Sequence, residues 1–174
     1  MDLDVASTLL RVVLGLTFLL HGWNHGFGAG GLDGTAGWFA SIGLRPARVH
    51  ALVSTYLELA VGAALVVGLL TPLAVAAGAG IMLTAGITVH RTNGFFIFKD
   101  GYEYVLVITA SLVALAVIGP GRLSLDHAVG LTDLDVFTGW PAGLGAFVLA
   151  AVGTGAMLAA CWRPPAAQSR GESE

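Results

Sequence analysis

Chemistry in this chain would begin at three charged residues that stand inside otherwise apolar stretches. Arg11 lies within Val5–Trp23, Glu58 within His50–Leu70, and Glu103 opens Glu103–Gly119. A charge carried into hydrocarbon is costly unless it faces protein, water or an opposite charge. On a helical wheel Ser7, Arg11, Gly15, Phe18, Gly22 and His25 share one sector, with His21 at its edge. Ser54, Glu58 and Gly62 share another, and Glu103, Ala110 and Ala114 a third. Each charge therefore lies on a polar or small-residue stripe, the pattern of an inward-facing position. Counting rise per residue puts Arg11 about 18 Å from the far end of its stretch and Glu58 about 12 Å from the same side. An arginine side chain closes such a gap. The expectation is that Arg11, His21, His25, Glu58, His90, Asn93 and Glu103 gather in one half of a helix bundle. Such a pocket would suit a quinone or a small polar substrate. Glu58, His21, His90 and Glu103 are the catalytic candidates, as proton-handling groups. Arg11, His25, Asn93, Phe96 and Tyr104 are the substrate- or quinone-binding candidates. The other reading of the same residues is a structural Arg11–Glu58 ion pair that fixes helix packing.

Other patterns carry less. His21-x-x-x-His25 puts two imidazoles on one helical face, a geometry metals use, but it lacks the glutamate of HExxH, so no metal site is assigned. Gly26-Phe-Gly28-Ala-Gly30-Gly31 matches GxGxxG in form only, because it follows an apolar helix and not a strand. Phe95, Phe96, Phe98, Tyr102 and Tyr104 read as an interfacial aromatic belt or as the wall of a quinone pocket. Asp126-His127 reads as solvated loop. Gly-x-Ser-x-Gly, P-loop and Cys-x-x-Cys patterns are absent from the sequence, which argues against hydrolase, nucleotide and dithiol chemistry.

The elements that must position these residues are membrane spans. The 174 residues are 56% hydrophobic and 11% charged, with a mean hydropathy of +0.82. A soluble domain carries about 25% charged residues. The net charge of −3 offers no basic patch, which argues against a nucleic-acid partner. The single cysteine, Cys161, forms no internal disulfide and reads as a small apolar residue near a helix end. The amino terminus lacks the basic region of a cleaved signal and is read as the start of the first span.

Five spans are expected: Val5–Trp23, His50–Leu70, Pro72–His90, Glu103–Gly119 and Trp140–Trp162. Thr71-Pro72 joins the second and third as a tight hairpin, with Thr71 as cap. Small residues recur every four positions at Ala76, Gly80, Thr84 and Thr88 and at Ala146, Ala150 and Thr154, the mark of packing seams. Between the first two spans, Thr35 or Asp33 can cap a short interfacial helix bearing Trp38, Phe39 and Ile42. Arg122–Gly139 reads as a second surface segment, and the residues after Arg163 as a disordered polar tail. Outside the spans, Arg45, Arg48, Arg91, Lys99, Arg163 and Arg170 fall on one side and Arg122 alone on the other. The positive-inside rule then puts the carboxyl terminus in the cytoplasm.

In order along the chain, several blocks resemble the DoxX/DoxD-like membrane family. They are Arg11-x-x-x-Gly15-Leu-x-Phe18-Leu-x-His21-Gly22, Trp38-Phe39-x-x-x-Gly43-Leu, Glu58-x-x-x-Gly62 with Gly68-x-x-Thr71-Pro72, Asn93-Gly94-Phe95-Phe96 with Gly101-Tyr102-Glu103-Tyr104, and Gly119-Pro120-Gly121-Arg122-x-Ser124-Leu125-Asp126. The resemblance implies a four-helix membrane bundle of bacterial or archaeal type. Some such relatives are subunits of thiosulfate:quinone oxidoreductase, and many have no assigned reaction. It also implies functional positions at Arg11, His21, Glu58, Asn93 and Glu103. Two departures stand out. Leu131–Trp162 adds a loop and a fifth helix, which would close the bundle, bind a partner or form a dimer. Asn24-His25 stands where the family carries a basic residue.

The fold class expected is therefore an all-α integral membrane protein. It divides into a DoxX-like four-helix bundle over 1–130, a loop and extra transmembrane helix over 131–163, and a polar tail over 164–174. The function expected is a membrane subunit of a quinone-linked oxidoreductase system in the bacterial cytoplasmic membrane. Haem, flavin and iron–sulfur ligation are not visible in the sequence. No covalently bound cofactor is expected, and quinone is the candidate ligand. Lipid, a redox partner subunit and a second copy of the chain are the candidate partners. The alternatives are a non-catalytic anchor or assembly factor, and a small transporter.

Overall fold

The structure is a computed structural model that describes residues 1–165. The polar tail expected from 164 onward therefore lies, from residue 166, outside the described residues. Among the described residues the regular structure is helical, apart from one isolated bridge between Leu44 and Trp162. Helix α1 runs Asp2–Phe27, α2 Gly31–Ser41, α3 Ala47–Val67, α4 Thr71–Ala85, α5 Glu103–Ile118, α6 Leu125–Ala128 and α7 Gly139–Cys161. Helix α4 continues through a wide π turn at Gly86–His90 and a tight turn at Arg91–Asn93. Helices α1, α3, extended α4 and α7 are long and apolar enough to cross a membrane. Helix α5 is shorter, 16 residues.

A helix covers each of the five expected stretches, with the first two set differently along the chain. Helix α1 reaches Phe27 and α3 begins at Ala47. Their antiparallel seam is built on glycine. A Cβ on Gly15 would stand 2.7 Å from the Gly62 carbonyl oxygen, and one on Gly62 would stand 2.6 Å from that of Gly15. Closer to the end of α1, a Cβ on Gly22 would stand 2.9 Å from Leu59 N. Close backbone approach of this kind is what small residues contribute between helices in lipid.

The core lies where α1, α3, α4 and α5 meet, around Leu14, Phe18, Leu65, Val75, Ala79, Leu112 and Leu115. Helix α7 closes the bundle against α4 and α5. Thr154 Oγ1 donates to the Gly80 carbonyl at 3.1 Å, so the two expected small-residue stripes do meet. The end of α7 is also stitched to the turn after α2. Arg45 N donates to Cys161 O (2.8 Å), Arg163 N to Gly43 O (2.8 Å) and Trp162 Nε1 to Ile42 O (2.9 Å).

Two capping expectations are corrected. Helix α2 starts at Gly31, before Thr35, and neither Thr35 nor Asp33 caps it. Thr35 is instead buried and donates to His25 O at 2.8 Å. Thr71 does not cap α4 through its side chain. The cap comes from Asp126, whose carboxylate accepts from Leu70 N at 2.6 Å and Thr71 N at 2.9 Å. Asp126 is thus fully buried, 0% exposed, and not a solvated loop residue. A carboxylate at a helix N-terminus satisfies free N–H groups and opposes the helix dipole favourably.

Candidate functional site

A cavity of about 480 Å³ lies against α4, between α3 and α7 and under α2. Helices α3 and α7 both pack on α4 without forming a seam with one another. Its mouth lies between them, rimmed by the exposed residues Val53 and Leu57 of α3 and Leu149 and Gly153 of α7. The floor is the small face of α4, with Ala76, Ala77, Gly80 and Thr84. It extends from Leu73 to Val89, about 24 Å of helix. Near the start of α3 the lining turns polar, with His25, His50, Ser54 and Glu58 beside Trp38 and Phe39.

Glu58 is the centre of this polar end. It is 3% exposed, and Ser54 Oγ donates to its Oε1 at 2.6 Å. His25 Nε2 lies 3.7 Å from the same oxygen. Oε2 is buried without a hydrogen-bond partner, as is Nε2 of His50. A buried carboxylate oxygen with no donor is an expensive arrangement in a folded protein. His21, one turn before His25, brings a third ligating atom into the group: the donor atoms of His21, His25 and Glu58 all lie within 4.8 Å of one another. The i, i+4 spacing seen in the sequence is therefore completed by a carboxylate from the facing helix. The open stretch at Gly22 lets the two helices approach closely enough for this.

Arg11 is buried, 1% exposed, but it is not part of this group. Its Nη1 donates to Leu65 O (3.2 Å) and Val66 O (3.1 Å), at the carbonyl end of α3. Its Nη2 donates to Thr8 Oγ1 (3.2 Å) and to Leu123 O (2.6 Å) in the segment before α6. Gly68 ends α3 at φ 69°, and a Cβ there would lie 2.5 Å from Arg11 Nη1. The glycine is required by both the left-handed backbone and the space. The expected Arg11–Glu58 proximity is thus corrected. Side chains on a helix lean toward its own N-terminus. In antiparallel α1 and α3, Arg11 and Glu58 consequently lean toward opposite ends of the bundle. The longer α1 adds to the gap.

The remaining candidates form a separate cluster at the loop between α4 and α5. Tyr104 Oη is 2.6 Å from His90 Nε2, and His90 Nδ1 is 2.7 Å from Asp100 O. Since the carbonyl can only accept, Nδ1 carries the proton and Nε2 accepts from the tyrosine. Asn93 Nδ2 donates to Asp100 O at 3.2 Å, and Glu103 Oε2 accepts from Ile97 N at 3.0 Å. Phe96 and its neighbours Phe95 and Phe98 are exposed on this loop. His90, Asn93, Phe96, Glu103 and Tyr104 line no part of the cavity, a correction to their expected place in one pocket. They shape a loop. Of the expected set, Glu58, His25 and His21 come together at the polar end of the cavity, and His90 and Tyr104 meet at the loop. His50 was missed, although His50, Ser54 and Glu58 repeat every four residues and so mark one stripe. Thr35 and the α7 wall had no local signal.

The sequence is similar to known sequences. The DoxX family pattern matches residues 6–91. The "Putative oxidoreductase CatD" of Bacillus subtilis (strain 168) is 30% identical over 126 residues, covering 72% of this chain and 88% of that protein. The chain belongs to the DoxX family and is a multi-pass membrane protein. No solved structure matches it.

Proposed function

We propose that this protein is a membrane subunit of a quinone-linked oxidoreductase system in a bacterial cytoplasmic membrane. The observation that carries the reading is Glu58 Oε2, buried and unpartnered at the polar end of an otherwise apolar groove. A groove of this kind suits a ligand with a small polar ring and a long apolar tail. The head would lie among His25, His50, Ser54 and Glu58, and the tail along the small residues of α4. The oxidoreductase name of the similar Bacillus subtilis protein is consistent with this reading. Reduction of a quinone to its quinol takes two electrons and two protons. Protons reach the head from the polar end of the groove, and a partner protein's redox centre supplies the electrons. The end bearing Arg45, Arg48, Arg91, Lys99 and Arg163 is assigned to the cytoplasm by its cations.

An anchoring role alone accounts for Arg11 and Asp126, which hold segments together, but leaves Glu58 without a purpose. Lipid extracts of protein purified in mild detergent, read by mass spectrometry, test the proposal. The expected result is quinone bound in proportion to protein, with much less on Glu58→Gln. Quinone no higher than in an unrelated membrane protein prepared in parallel overturns it.

A further inference from the structure

We infer that His21, His25 and Glu58 form a binding site for a divalent first-row transition-metal ion at the α1–α3 seam. Two imidazoles and one carboxylate are a donor set that such ions accept while keeping positions open. The donor atoms already lie within 4.8 Å of one another, and His25 Nε2 is 3.7 Å from Glu58 Oε1. Ligands bound at about 2.1 Å stand about 3.0–3.4 Å apart, so small side-chain rotations close the set.

The surroundings of His25 and Glu58 support the assignment. Thr35 Oγ1 donates its own proton to His25 O at 2.8 Å, and it lies 3.5 Å from His25 Nδ1. The hydroxyl oxygen is left to accept from Nδ1–H. That leaves Nε2, the nitrogen facing Glu58, free to ligate. Ser54 orients the carboxylate from behind, holding Oε1 at 2.6 Å. Outer partners that fix tautomer and ring direction are the usual companions of metal ligands. Oε2, buried and unpartnered, is the acceptor that a cation would satisfy. His25 and Glu58 line the cavity whereas His21 does not, so the ion's open positions face the cavity. The inference shares two residues with the quinone reading but does not rest on it.

The test uses full-length, tag-free protein in detergent, stripped with a chelator and titrated with Co²⁺ while visible absorption is followed. Wild type is expected to bind one Co²⁺ per chain with ligand-field bands. His21→Leu and Glu58→Gln should each lose at least about tenfold in affinity, and Thr35→Val about tenfold. His21 is exposed, so its substitution leaves the fold intact, which thermal unfolding verifies. His21→Leu should also keep the bound quinone. Equal Co²⁺ affinity in wild type and His21→Leu, or no binding by either, overturns the metal site. Either result leaves the quinone reading untouched. Co²⁺ binding without co-purified quinone would overturn the quinone reading alone.

Discussion

Arg11 and Glu58 are both buried on neighbouring antiparallel helices, yet their side chains serve opposite ends of the bundle. Arg11 ties the end of α3 to the segment before α6, and Asp126 in α6 caps α4. Glu58 faces the cavity and the α1 histidines.

Arg11→Met should therefore be severely destabilising whatever stands at position 58. It strips the charge-assisted donor from the carbonyls of Leu65, Val66 and Leu123 and leaves Asp126 without its neighbouring cation. The expected cost is about 3–5 kcal/mol. The double variant Arg11→Met, Glu58→Leu should show the sum of the single effects within about 0.5 kcal/mol. Unfolding in detergent measures both, and rescue of the first by the second would restore the ion-pair reading.

Asp126→Asn keeps one acceptor for the start of α4 but removes the charge. A loss of about 1–2 kcal/mol is expected, and more for Asp126→Ala, which abandons both N–H groups. A lowered unfolding temperature in the order wild type, Asn, Ala is the measurement.

The glycines divide by position. Gly62→Ala puts a methyl group into the backbone of α1 and should cost about 1–3 kcal/mol. Gly153→Ala meets nothing within 4 Å and should be neutral or stabilising by about 0.5–1 kcal/mol. Gly153→Leu should fold as well as wild type while lowering co-purified quinone, because the added side chain occupies the groove.

Tyr104→Phe removes the hydroxyl held by His90. It should cost about 1 kcal/mol and leave quinone content unchanged, since neither residue lines the cavity. A drop in quinone would place the α4–α5 loop in the binding site after all.

These residues also show what the sequence could and could not disclose. The spans were legible because apolar runs of membrane length have few other uses, and Glu58 because a lone carboxylate in such a run must face inward. The meeting of His21, His25 and Glu58 depends on α1–α3 register, which the Gly15–Gly62 contact sets and local spacing does not encode. Arg11 departs from expectation for a related reason: depth along a helix does not include the lean of each side chain toward its own N-terminus. Asp126 looked solvated because its partners, Leu70 and Thr71, lie 56 and 55 positions away.

The gap between α3 and α7 sets how the cavity is filled. A quinone of the kind proposed, dissolved among the acyl chains, would enter sideways without crossing an aqueous phase. Its occupancy would then follow its mole fraction in the leaflet, whatever its solubility in water.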